Sequence, residues 1–257
     1  MGLFFGGDEE RFIPGVRKGG FARYKEILEA NWKIFFLVGF IALAFHIPLA
    51  AGLVYAVGAK SSLAAIGAGL IGGAIAGPGY AGLVDLIMRR LRDDKGDWTV
   101  CWKRSFRQNW KASLLPGAVQ GLFLALIVFA GALIFWGAAP ISIGTLLLLA
   151  LSILLGTMVL TAWWPQVVTF EQKAPQQVKN AVLFSVFHFG KVLLSALLQI
   201  VWWSVLALFM PWTAFVVPFI GLWYILFVAL HLIYPALDAD FHIEEQIEEK
   251  FPGRLGD

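Results

Sequence analysis

Cysteine is almost missing from this 257-residue chain, in which Cys101 stands alone. One thiol closes no intramolecular disulfide and builds no cysteine-rich metal site. Charge is scarce too, at 14% of residues against about 25% in an average soluble domain. What charge there is stays confined. No Asp, Glu, Lys or Arg lies between Lys33 and Lys60, Lys60 and Asp85, Lys111 and Glu171, or Lys191 and Asp238, gaps of 26, 24, 59 and 46 residues. The familiar catalytic spacings are absent: no Gly-x-Ser-x-Gly elbow, no His-Glu-x-x-His, no phosphate-cradling glycine–lysine loop and no paired intramembrane aspartates. These absences lead us to expect neither an enzyme nor a cofactor.

Apolar residues are what the chain has in excess, at 59%. A membrane helix needs roughly 20 of them to cross about 30 Å of hydrocarbon. A 59-residue run would extend close to 90 Å as one helix, so it must fold back. Gly137-Ala138-Ala139-Pro140 is the turn, and Pro211-Trp212 divides the 46-residue run in the same way. The expectation is an all-α membrane domain of six spans, near 34–57, 63–88, 112–136, 141–167, 190–210 and 212–234. Of the 20 Lys and Arg residues, 19 fall on one side of this scheme and Lys60 alone on the other. Positive residues stay cytoplasmic, which places both termini inside. Charges from Asp8 to Lys18 separate the short apolar start from the first span, unlike a signal peptide. Gly6 stands where myristoylation wants Ser or Thr. The basic loops suit anionic lipid headgroups, and a nucleic-acid partner is not expected.

One tripeptide occurs twice, Asn31-Trp32-Lys33 and Asn109-Trp110-Lys111, with a weaker echo at Phe189-Gly190-Lys191. Each ends an amphipathic stretch and opens an apolar run. On a helical wheel over 98–111, Trp98, Cys101, Trp102, Ser105, Phe106 and Trp110 share one arc, and Lys103, Arg104, Arg107 and Lys111 the other. Phe21, Tyr24, Leu28 and Trp32 form a similar stripe, with Arg23, Glu26 and Glu29 turned away. Such helices lie in the headgroup plane. The chain therefore reads as three hairpins, each introduced by an interfacial helix, near 21–33, 97–111 and 178–190. The third, apolar nearly all round, is expected inside the bundle.

Within the spans, Ala65, Gly69, Gly73, Gly77 and Ala81 form a ladder of small residues at every fourth position. Gly117, Gly121 and Ala125 echo it in the third span. Small stripes let helix backbones approach in lipid, where no hydrophobic force drives association, so spans two and three are expected to pack tightly or to meet a partner. Pro78, Pro165 and Pro235 sit near the cytoplasmic ends of the even spans, where a tilted exit explains them. The intramembrane polar residues are His46, Gln120, Gln199 and His231. They either line a solute path or satisfy neighbouring backbone groups, and they are too few in kind for a zinc site. Asp85 and Arg89 are spaced for an i,i+4 ion pair, and Asp93, Asp94 and Asp97 for a solvated turn. The acidic tail, 237–257, sets Leu237, Phe241, Ile247 and Phe251 on one side of a short helix ending at Pro252-Gly253. It either docks, on the basic 89–111 loop or a partner, or stays solvated.

A glycine-rich Gly77-Pro78-Gly79-Tyr80-Ala81-Gly82-Leu83 segment leads into Met88-Arg89-Arg90, and a basic aromatic stretch closes with Ser105-Phe106-Arg107-Gln108-Asn109-Trp110-Lys111. This order resembles the YesL-like bacterial membrane proteins, most sharply over residues 21–125 and more faintly around Lys179-Asn180-Ala181. The family has no established reaction. Its members are often encoded beside carbohydrate-uptake systems. The resemblance implies a multi-pass protein of the bacterial cytoplasmic membrane, accessory to a carbohydrate importer, with transporter subunits or its own copies as partners. The alternative is a transporter or channel whose path is lined by His46, Gln120, Gln199 and His231.

Overall fold

The computed structural model describes residues 18–94, 96–137 and 142–250. The start of the chain, most of the turn at 137–140 and the tail beyond Lys250 lie outside the described residues. Helices α1 (Gly20–Gly58), α2 (Ser62–Gly67), α3 (Gly73–Leu91), α4 (Trp98–Phe135) and α5 (Ile143–Thr169) come first. After them come α6 (Ala174–Phe187), α7 (Phe189–Leu208), α8 (Trp223–Phe241) and α9 (Ile243–Lys250). A π-helical stretch, Ala68–Gly72, welds α2 to α3. Another, Val217–Gly221, leads into α8. Among the described residues, six helical units are long and apolar enough to cross a membrane: Gly20–Gly58, Ser62–Leu91, Trp98–Phe135, Ile143–Thr169, Phe189–Leu208 and Val217–Phe241. The protein is an all-α, multi-pass integral membrane protein. Pro211-Trp212 breaks the 46-residue run as expected, between Leu208 and a 3₁₀ turn at Trp212–Phe215. The last span starts and ends later than 212–234, because α8 runs on to Phe241.

The interfacial helices differ from expectation. Residues 21–33 and 98–111 do not turn at their Asn-Trp-Lys tripeptides: α1 and α4 continue through them as single helices of 39 and 38 residues. At about 1.5 Å per residue each is close to 60 Å long, twice the hydrocarbon thickness, so both project beyond it at one end. Nothing in Asn-Trp-Lys breaks a helix, and tertiary contacts hold the projections. The wheel over 98–111 is correct, with Cys101 and Ser105 buried and Lys103, Arg104, Arg107 and Lys111 exposed. Its apolar face, however, meets protein. Trp102 fits against Gly82, where an added Cβ would lie 2.6 Å from the indole nitrogen, and Phe106 packs 5.6 Å from Phe45. Only the third unit breaks, at His188, whose Nε2 lies 2.8 Å from Asp240 Oδ2. Helix α6 is not inside the bundle. Gln177, Ala181, Phe184 and Ser185 face the protein, while Val186 and Phe187 are exposed.

Helix α3 is the centre. In its span 78% of the most apolar window is buried, against 6% in Ile143–Thr169. Glycines on several faces allow this. An added Cβ on Gly73 would lie 2.7 Å from the Gly121 Cα, and one on Gly117 2.7 Å from the Gly77 Cα. Of the ladder Ala65, Gly69, Gly73, Gly77 and Ala81, the three glycines therefore work as an interface between spans two and three, and Ala65 clusters with Phe129 of α4. Gly72 and Gly79 admit α1 in the same way, at 2.6 Å from the Leu49 Cα and 2.7 Å from the Phe45 Cγ. Pro78, Pro165 and Pro235 lie inside α3, α5 and α8, which continue beyond them, and Pro48 and Pro116 lie inside α1 and α4.

Candidate functional site

The four intramembrane polar residues do not line one route. His46 Nδ1 donates to the Ala42 carbonyl at 2.8 Å, and its ring meets the edge of Tyr80 at 6.0 Å between centroids. Tyr80 packs 4.8 Å from Trp164, whose indole N–H donates to Gln120 Oε1. His46 and Gln120 thus share one cluster, around a cavity of about 10 Å³. That volume is at the lower bound for a single water. Gln199 belongs elsewhere. Its Nε2 donates to Thr161 Oγ1 at 2.7 Å and to the Ser195 carbonyl at 3.3 Å, tying α7 to α5. His231 sits in a third place, packed against Tyr24 and Phe227 at 5.7 and 6.0 Å.

The two tripeptides have matching local geometry. Asn31 Nδ2 reaches back one turn to the Ile27 carbonyl at 2.9 Å, and Asn109 Nδ2 to Ser105 Oγ at 3.2 Å. Lys33 lies 5.7 Å from the Trp32 ring and Lys111 5.5 Å from the Trp110 ring. Trp32 and Trp110 are both about half exposed. An amphipathic indole with a cation over it, at the edge of an apolar run, suits an interfacial anchor.

The polar chemistry gathers at the basic end of the bundle. Arg89, one turn after Asp85, donates from Nε to Asp85 Oδ2 at 2.8 Å, the ion pair its spacing predicts. A third member was not expected: Arg89 Nη1 also donates to Asp94 Oδ2 at 2.8 Å. Asp94 is almost fully buried, and its Oδ1 accepts from the Gly96 N–H at 3.0 Å. It is no solvated turn residue. Arg90 ties the same turn through the carbonyls of Asp94 and Gly96, at 2.7 and 3.0 Å. Arg23 of α1 pairs with Asp93 at 2.5 Å rather than turning away. Asp97 alone behaves as drawn from sequence: exposed, it caps α4 by accepting from the Thr99 and Val100 N–H groups.

The tail docks. After α8, His242 takes a left-handed conformation (φ 48°) and α9 turns back onto the bundle. Ile243 is buried, Tyr234 donates to Glu244 Oε1 at 2.7 Å, and the Glu244 N–H donates to Asp238 Oδ1 at 2.9 Å. Between α9, α3, α4 and the end of α5 lies a cleft of about 530 Å³. Its walls include Arg92, Arg104 and Lys250, the Arg89 fork, and the apolar Ala112, Val167 and Val168. Arg92 is 95% buried, and its Nε has no hydrogen-bond partner. Burial pushes it below its ordinary value, with nearby Asp85 opposing. Thr169 Oγ1, also on the cleft, is buried without a partner. Sequence reasoning missed Arg92, Asp94 and Thr169. Only the burial of a loop hard against a C-terminal helix distinguishes them, and no local pattern signals that.

Family models, curated proteins and solved structures give no match to this chain.

Proposed function

We propose that this protein is a non-enzymatic membrane component that works through contacts at its basic end, as an accessory or scaffold of a carbohydrate importer. The observation that carries this reading is the use made of His46, Gln120, Gln199 and His231. All four are committed to three separate sets of helix contacts, so the spans serve as a packed frame. Charged groups, by contrast, concentrate at one end, on the projecting parts of α1 and α4 and on α9. The 19 Lys and Arg residues on that side support a cytoplasmic assignment for it and for both termini, in a bacterial cytoplasmic membrane. The importer itself is suggested by the resemblance of residues 21–125 alone. Affinity purification in mild detergent followed by mass spectrometry tests the reading. Recovery of importer subunits, lost when the exposed Lys103 and Arg107 are both changed to Glu, is the expected result. Recovery of no transporter subunit in repeated preparations, with the protein itself folded, would overturn it.

A further inference from the structure

The cleft at the basic end is lined by a buried cation, Arg92, whose Nε–H has no hydrogen-bond partner. A buried guanidinium N–H left unpaired is costly. The carboxylates nearest Arg92 are already engaged. Asp85 Oδ2 and Asp94 Oδ2 both accept from Arg89, and Asp94 Oδ1 accepts from Gly96. Arg104 is exposed on the same cleft and makes no ion pair with a described residue. Lys250 reaches it from α9. We propose that this cleft binds a phosphate group, held by Arg92 and Arg104 with Lys250 and the unpartnered Thr169 hydroxyl.

Charge balance and position favour a phospholipid headgroup as the source. Arg89 and Arg92 offset Asp85 and Asp94, and Arg104 with Lys250 outweighs Glu171 by one, so the lining carries a surplus of one positive charge. A phosphodiester, with its single negative charge, cancels that surplus. A phosphate monoester at neutral pH over-compensates it. The cleft also opens where the spans end: α5 stops at Thr169 and α3 at Leu91. Ala112 and Val168 give it an accessible apolar wall on which acyl chains can lie. Guanidinium forks match phosphate oxygens in geometry as well as charge. The inference does not depend on the importer reading, since a headgroup site is compatible with any role in the membrane.

The test uses the full chain in neutral detergent and follows thermal unfolding by tryptophan fluorescence. Phosphatidylglycerol, phosphatidylcholine and inorganic phosphate are titrated separately, the last against chloride at equal ionic strength. Phosphatidylglycerol is expected to raise the midpoint well above any effect of phosphatidylcholine. Losing one charge-assisted bond in Arg104→Gln should raise the concentration for half the effect roughly tenfold. Lys179→Gln, at an exposed position that does not line the cleft, should leave it unchanged. Arg92→Gln should abolish the effect, and Arg104→Gln keeps the test decisive if that variant fails to fold. A full, Arg104-dependent response to inorganic phosphate would support the site and assign a free phosphate as its ligand. Equal responses in Arg104→Gln and Lys179→Gln, or no stabilisation by either phosphate source, would overturn the proposal.

Discussion

Replacing Gly73 by alanine should cost this protein about 2 kcal/mol, though the same change at Gly131 should cost nothing. A Cβ on Gly73 would sit 2.7 Å from the Gly121 Cα and 3.0 Å from its nitrogen, and closer still to the Gly117 carbonyl oxygen. Ordinary carbon contacts are about 3.5–4.0 Å, so α3 and α4 must separate by about 1 Å. A gap of that size forfeits roughly a quarter to a half of each dispersion contact along the stripe. Overpacking costs about 1–3 kcal/mol. Here the obstacle is backbone on the facing helix, which no rotamer change relieves, so the top of that range applies. Alanine's better helix propensity returns about 0.8–1.0 kcal/mol, which leaves the net loss near 2. At Gly131, within α4, nothing lies within 4 Å of an added Cβ, so only the propensity gain of up to about 1 kcal/mol remains. The difference of about 3 kcal/mol is more than a hundredfold in the unfolding equilibrium. It is measurable by sodium dodecyl sulfate titration in mixed micelles with tryptophan fluorescence. Gly73→Leu should go further and prevent the α3–α4 contact. If Gly73→Ala proves as stable as Gly131→Ala, the two spans do not pack through this ladder.

Three further outcomes are expected. Gln120→Leu strands the Trp164 indole N–H inside a span and should destabilise by about 1–2 kcal/mol; a double-mutant cycle with Trp164→Phe that returns no coupling would refute the bond. Hydrogen bonds from Thr99 and Val100 hold the Asp97 carboxyl below the ordinary range. Its cap therefore stabilises α4 above the unfolded value near pH 4, and the stabilisation is lost as pH falls through the lower folded value. Protection of the Thr99 and Val100 amides, taken relative to the intrinsic exchange rate at each pH, should fall in acid for the parent and stay level for Asp97→Asn, which caps without titrating; coincident protection profiles would show that the cap is not formed. For orientation, on a Cys101→Ser background, Lys60→Cys should react with an impermeant maleimide in intact cells and Lys103→Cys only after lysis. The reverse pattern would invert the topology.

The sequence alone determined the six spans, the small-residue stripes of spans two and three, and the Asp85–Arg89 pair. Each follows from a constraint that acts locally. Hydrocarbon thickness limits the length of a charge-free run, backbone approach demands a small residue every fourth position, and an i,i+4 pair needs only one helix. The tertiary structure decided what covers each apolar face. It carried α1 and α4 straight through Asn31-Trp32-Lys33 and Asn109-Trp110-Lys111. It also put protein rather than lipid against Trp102 and Phe106, and it left Val186 and Phe187 exposed. A lipid tail and a neighbouring helix are equally apolar, so periodicity identifies a buried face without naming its partner. The cleft around Arg92 was beyond sequence for a related reason. Its walls come from α3, α4, the end of α5 and α9, between Asp85 and Lys250. A buried charge becomes distinctive only when the folded chain has shown which carboxylates are already taken.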